Sequence, residues 1–133
     1  MSILVVAEHD NDSIKAPTLV AVAAAEKIGG DIEVLVAGSA CSGAGEAAAN
    51  IAGVAKVLVA DNEAYGHQLA ENIGDLVAEI GKGYSHILTP TTTSGKNFMP
   101  RVAALLALLV CNRHPLTRAR RSRDSGRRCG PWR

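Results

Sequence analysis

The chain reads as an α/β protein, a doubly wound parallel sheet with helices on both faces. Three observations lead there. Short Val/Ile/Leu runs alternate with Ala-rich helical stretches four times over. The strand runs are apolar at nearly every position, as buried parallel strands are. And the hydrophobic content is 47% with only 3% aromatic residues, so the core must be built from aliphatic side chains. At 133 residues there is room for one domain, which at this size buries roughly 65–70% of its unfolded surface.

The elements follow in order. Residues 2–7 (SILVVA) form a buried-strand run, and residues 8–13 a polar loop. Residues 18–28 are helical, apolar on Leu19, Val22, Ala23 and Ile28, and closed by Gly29-Gly30 as a C-cap. A second strand spans 31–37 and ends in Gly38; a short Ala-rich helix spans 43–52 and closes at Gly53. The third strand is 55–60. A helix over 65–80 carries Leu69, Ile73, Leu76, Val77 and Ile80 on one face. The fourth strand is 85–89. The fourth helix starts at Lys96 and runs to about residue 109, with Pro100 in its first turn. Right-handed crossovers then make a parallel sheet whose ligands sit beyond the strand C-termini. The loops at that edge are 8–13, 38–43, 61–66 and 89–95.

Charge divides the chain. Residues 1–110 hold six basic and twelve acidic residues, a net −6, whereas residues 111–133 hold eight arginines against Asp124, a net +7. Every lysine precedes position 97, and all but one arginine follow position 112. Residues 111–133 lack apolar periodicity and read as an arginine-rich disordered tail behind a domain of residues 1–110. The tail would attract nucleic acid nonspecifically. An RNA-binding reading rests on it alone, since the aromatic-poor body offers no stacking platform. Cys41, Cys111 and Cys129 share no metal-ligand spacing and read as free thiols of a reducing compartment. No leader is seen at the N-terminus, and the longest apolar run, 102–111, is too short for a bilayer. A cytoplasmic protein with no membrane insertion is expected.

Four segments could carry chemistry. Glu8-His9-Asp10-Asn11 could hold a metal or a ribose, but further ligands are missing. It reads as a solvated loop, with Asn11, Asp12 or Ser13 opening the helix. Residues 38–45 (GSACSGAG) lack the GxGxxG order and read as a structural turn. Thr91-Thr92-Thr93-Ser94-Gly95-Lys96 offers hydroxyls, backbone N–H groups and a cation at a helix start, so Thr93, Ser94, Gly95 and Lys96 are the anion-site or partner-site candidates. A capped strand-to-helix joint is the plainer reading. His67, on a helix, and His86, in a strand, read as ordinary surface or packed histidines, and Cys41 has no identified base. Neither a catalytic constellation nor a metal site is expected.

Three stretches carry a family resemblance. They are ILVVAEHDNDSIKAPTLVAVAAAEKIGGDIEVLVAG, IAGVAKVLVADNEAYGHQLAENI and HILTPTTTSGKNFMPRVAALL, together covering about residues 3–106. In them the chain resembles the N-terminal domain of the electron transfer flavoprotein alpha subunit. The resemblance implies a Rossmann-like, adenine nucleotide alpha hydrolase-like sheet of order 3-2-1-4-5, docked on a beta subunit in an alpha/beta heterodimer. That heterodimer carries FAD, mainly in a C-terminal domain of the alpha subunit. It passes electrons from acyl-CoA dehydrogenases and other flavin dehydrogenases of fatty acid β-oxidation to a membrane quinone oxidoreductase. The matched domain is scaffold, an electron-carrier part and not an enzyme.

The family continues after the Leu-Leu pair with a fifth strand and the FAD domain. This chain reads ALLVCNRHPLTRARRSRDSGRRCGPWR instead. The expectation is a frameshift near codon 107, an order 3-2-1-4 with the fifth strand missing, a bare edge on strand four, and no FAD of its own. The alternative is a small universal-stress-like nucleotide-binding module, with residues 8–11 and 91–96 lining an ATP or AMP site.

Overall fold

The computed structural model describes residues 1–113 and 116–121. The elements are β1 (Ser2–Val6), α1 (Ala16–Ile28), β2 (Asp31–Gly38), α2 (Ser42–Ala49), β3 (Val54–Asp61), α3 (Ala70–Ile80), β4 (His86–Pro90), α4 (Thr93–Leu106), β5 (Leu108–Arg113) and β6 (Leu116–Arg121). Two 3₁₀ turns, Glu63–Tyr65 and Gly81–Gly83, flank α3.

The first four strands are parallel and ordered 3-2-1-4, as the alternating pattern predicts. Strand side chains alternate between faces, and two cores result. Ile3, Val5, Ile32, Val34, Val36 and Leu88 pack beneath α1 and α2 with Ala21, Val22, Ala25, Ala44 and Ala48. Leu4, Val6, Leu35 and Ile87 pack on the other face with Ile73 and Val77 of α3 and Phe98, Met99 and Val102 of α4. The first face is lined by alanines, so α1 and α2 lie close to the sheet. Gly45 serves the same end, since a Cβ there would sit 2.7 Å from Val59 Cγ2. The second face takes the larger side chains.

Several boundaries move. The helix α1 starts at Ala16, with Lys15 at the N-cap and no side-chain cap, so Asn11, Asp12 and Ser13 do not open it. Its buried residues are Thr18, Ala21, Val22 and Ala25, while Leu19 is 48% exposed. Small residues win the sheet-facing positions because the gap is narrow. The Gly29 C-cap is as expected: φ is 81° and its N–H donates to Ala25 O. The helix α3 is shorter than the 65–80 stretch, because Gln68 adopts φ 52° and breaks the run after the 3₁₀ turn. His67 therefore lies in a turn, not on a helix.

The helix α4 begins at Thr93, three residues before the expected Lys96, and it places Pro100 inside the helix and not in its first turn. It ends at Ala107 in the left-handed region, φ 51°.

The bare edge expected on β4 is filled. β6 pairs antiparallel with β4, with Leu88 opposite Arg118 and Thr89 opposite Thr117. β5 pairs antiparallel with β6 at the outside, giving the order 3-2-1-4-6-5. Residues 111–113 and 116–121, expected to be irregular, are therefore strand. The reason is physical: an open edge offers a row of N–H and C=O groups to the segment that follows. With two residues between β5 and β6, an antiparallel pair is the available arrangement, since a parallel one needs a crossover of a dozen or more residues. The rest of the tail lies outside the described residues.

Candidate functional site

The order 3-2-1-4 places the topological switch point between β1 and β4. From there α1 departs over one face and α4 over the other, leaving a crevice at the strand C-termini. A cleft of about 110 Å3 occupies that crevice. Its apolar wall is Val6, Ile73 and Phe98, and its polar rim is Glu8, His9, Lys15, Gln68, Thr89 and Ser94.

Each rim residue has a local cause. The 8–14 loop is folded back by an antiparallel bridge between His9 and Ile14. The Glu8 backbone N–H donates to Thr18 Oγ1 at 2.9 Å, and that hydroxyl donates to Glu8 O at 3.2 Å. His9 donates from Nε2 to Ala37 O at 2.9 Å and accepts at Nδ1 from the Asn11 N–H at 3.0 Å. Both ring nitrogens are thereby used, which assigns the neutral Nε2–H tautomer. Gly38 has no room for a side chain, since a Cβ would lie 2.9 Å from His9 Cε1. Residues 10–13 are exposed, as the sequence suggests, while the partly buried Glu8, His9 and Ile14 hold the two ends of the loop in place. Lys15 reaches outward to Asp10 at 3.1 Å, and Gln68 donates its amide to Ala37 O at 2.6 Å.

The other side of the cleft is the start of α4. Thr92 is the N-cap: its hydroxyl accepts from the Gly95 N–H at 3.4 Å and donates to the Glu8 carboxylate. Gly95 is required here because a Cβ would run into Pro90 O. Of the four residues singled out by sequence, Ser94 alone lines the cleft. Thr93 and Lys96 are exposed on the outer side of the turn, and Gly95 is buried beneath it. Sequence reasoning included Thr92 in the candidate segment without giving it a role, and passed over Thr89 and Gln68. Thr89 is fully buried, and among the described residues neither its hydroxyl nor Thr91 Oγ1 has a hydrogen-bond partner. A Thr at the end of a buried strand beside a Gly-containing helix start was the available signal.

The remaining candidates are structural. Residues 38–45 form the turn their sequence suggests, with the Ala40 N–H held by Asp61 Oδ1 at 2.8 Å. Cys41 is buried at the N-cap of α2, and burial together with the nearby Asp61 pushes its thiol pKa up, the wrong direction for a nucleophile. Ser85 Oγ lies 3.1 Å from His86 Nδ1, but at the opposite edge of the sheet, where the hydroxyl donates to Ser2 O at 2.9 Å. Among the described residues no group of three or more His, Cys, Asp or Glu could hold a metal ion, and no helix is long and apolar enough to cross a membrane. FAD does not fit the switch-point cleft, whose volume falls well short of the roughly 300–1,000 Å3 of ordinary ligand pockets.

Residues 3–112 match the model of the electron transfer flavoprotein domain. The chain belongs to the electron transfer flavoprotein domain family. It is similar to the electron transfer flavoprotein subunit alpha of Pseudomonas aeruginosa, 64% identical over 106 residues that make up 80% of this chain and 34% of the relative. The subunit alpha of Paracoccus denitrificans is 47% identical over 110 residues, covering 83% of this chain and 36% of that protein. The subunit alpha of Bradyrhizobium diazoefficiens is 49% identical over 109 residues, covering 82% and 35%. The chain thus spans about a third of the length of these relatives. The family match ends at residue 112, close to where lysine gives way to arginine.

Proposed function

We propose that residues 1–110 act as the N-terminal scaffold domain of an electron transfer flavoprotein alpha subunit. In this reading the domain docks on a beta subunit in the cytoplasm and takes no part in redox chemistry itself. The observation that supports it is the match of residues 3–112 to the family, with 64% identity to an alpha subunit. FAD would be held by alpha-subunit sequence beyond the matched third, which agrees with a cleft too small for it. The intact heterodimer would take electrons from acyl-CoA and other dehydrogenases and pass them to a quinone oxidoreductase. The chain alone would carry none.

The test is association. Mixed with a beta subunit, the 133-residue chain should co-elute on size exclusion at one-to-one stoichiometry. Failure of a folded chain to bind at micromolar concentrations would remove the scaffold reading.

Residues 111–133 we read as the product of a shifted frame. The end of the family match, the change from Lys to Arg and the antiparallel β5–β6 pair in place of a parallel fifth strand support this. Re-sequencing the gene decides it: an open frame downstream of codon 107 that encodes an FAD domain supports the shift, and its absence refutes it.

A further inference from the structure

We propose that two copies of this chain exchange their β5–β6 hairpins about Ala107, each hairpin pairing with β4 of the other copy. The inference is independent of the scaffold reading. Its starting point is Ala107, the one residue between the end of α4 at Leu106 and the start of β5 at Leu108. The change of direction from helix to strand falls on this residue, which is held at φ 51° and ψ 46°. Glycine is the usual occupant of a left-handed helix C-cap, because it has no Cβ. Alanine in that conformation is strained. A short connection under strain favours exchange, since opening it relieves the strain.

The topology allows the exchange. β5 and β6 are the last two strands of the order 3-2-1-4-6-5, so lifting them away breaks no pairing among β1 to β4. The hairpin keeps its own antiparallel ladder, from Leu108 opposite Arg121 to Arg113 opposite Leu116. It joins the sheet through a second ladder, from His86 opposite Arg120 to Pro90 opposite Leu116. A two-stranded hairpin is marginal by itself, and β4 without it is an open edge. The strand that fits β4 is already defined by the fold: it is β6, here in the same register from a second copy. In the exchanged dimer both β4–β6 ladders are restored and both hinges leave the left-handed region. Two-fold symmetry makes the contact mutual and closed, and no β4 edge is left for a third chain.

The experiment is size exclusion with light scattering on the 133-residue chain and its position-107 variants, over a dilution series held to equilibrium. The dimer fraction should grow with concentration. A107G removes the strain from the hinge of each closed monomer and should weaken dimerisation by about tenfold or more. A107V, whose β-branched side chain tolerates the left-handed region less well, should strengthen it. A dimer assembled from isotope-labelled and unlabelled chains then locates the contact. Filtered nuclear Overhauser spectra should show the backbone of Leu88 in one chain against that of Arg118 in the other. Circular dichroism checks that each variant folds; should A107V not fold, A107G carries the comparison. A parent that stays monomeric up to about a millimolar would overturn the proposal. So would a dimer lacking β4–β6 contacts between chains, as stacking through the edges of β3 or β5 would give, or a dimer unmoved by A107G.

Discussion

Replacing Gly95 by alanine would drive a methyl group into the Pro90 carbonyl and leave it 3.0 Å from Thr89 Cγ2, both on the strand under α4. The helix would have to lift from β4. Overpacking of this kind costs about 1–3 kcal/mol, and urea denaturation of G95A should show a loss of that size. A fully buried side chain gives the converse case. Met99 is wholly enclosed between α4 and the sheet, so M99A should lose about 2–5 kcal/mol. Tyr84 gives a pH-dependent case. Burial first, then its hydrogen bond to Glu33, pushes the phenol pKa up to about 12 from an ordinary 10. The folded state thus holds the phenolic proton more tightly than the unfolded state does. Its stabilising contribution is complete below pH 10 and is lost as pH rises from 10 to about 12. Thermal melting over that window should fall more steeply for the parent than for Y84F.

At the scale of elements, α4 shows how a tertiary contact sets a helix start. Gly95-Lys96 suggests a helix beginning there, yet the helix begins at Thr93 because Thr92 is held by Glu8 from across the switch point. Thr92 also caps Gly95, so T92A removes both bonds. It should cost about 0.5–2 kcal/mol, and T92S should recover most of it. Pro100 sits in the interior of α4 with its ring exposed to solvent. It cannot donate a backbone hydrogen bond, so P100A should raise the urea midpoint. Local sequence signals found the strands well. Ser2–Val6 and Asp31–Gly38 are apolar on both faces because they lie in the middle of the sheet. The same signals misplaced the start of α3, because the φ of 52° at Gln68 reflects its bond to Ala37 O and not its residue type. Helical spacing correctly puts Val22, Ile73 and Val77 in the core, but Leu19 and Leu69, on the same apolar patterns, are about half exposed.

For the whole molecule, the parallel order and the two cores were legible because four aliphatic runs separated by Ala-rich helices leave few other arrangements. The cleft was legible only in part. Ser94 was picked out as a helix-start hydroxyl, but Gln68 and Thr89 join the cleft lining only through the tertiary fold. The β5–β6 pair was not legible, since arginine-rich sequence carries no strand period, and its pairing answers to the open edge of β4. That edge carries a prediction. Deleting residues 114–133 removes β6 and re-exposes β4, and light scattering should show increased association of the shortened chain. A shortened chain that stays monomeric would show that β6 does not protect the edge. The most direct test of the scaffold account is flavin absorbance of the purified 133-residue chain, alone and with a beta subunit. The account predicts a colourless chain that joins the beta subunit without contributing a flavin of its own. One equivalent of FAD held by the chain alone would contradict it.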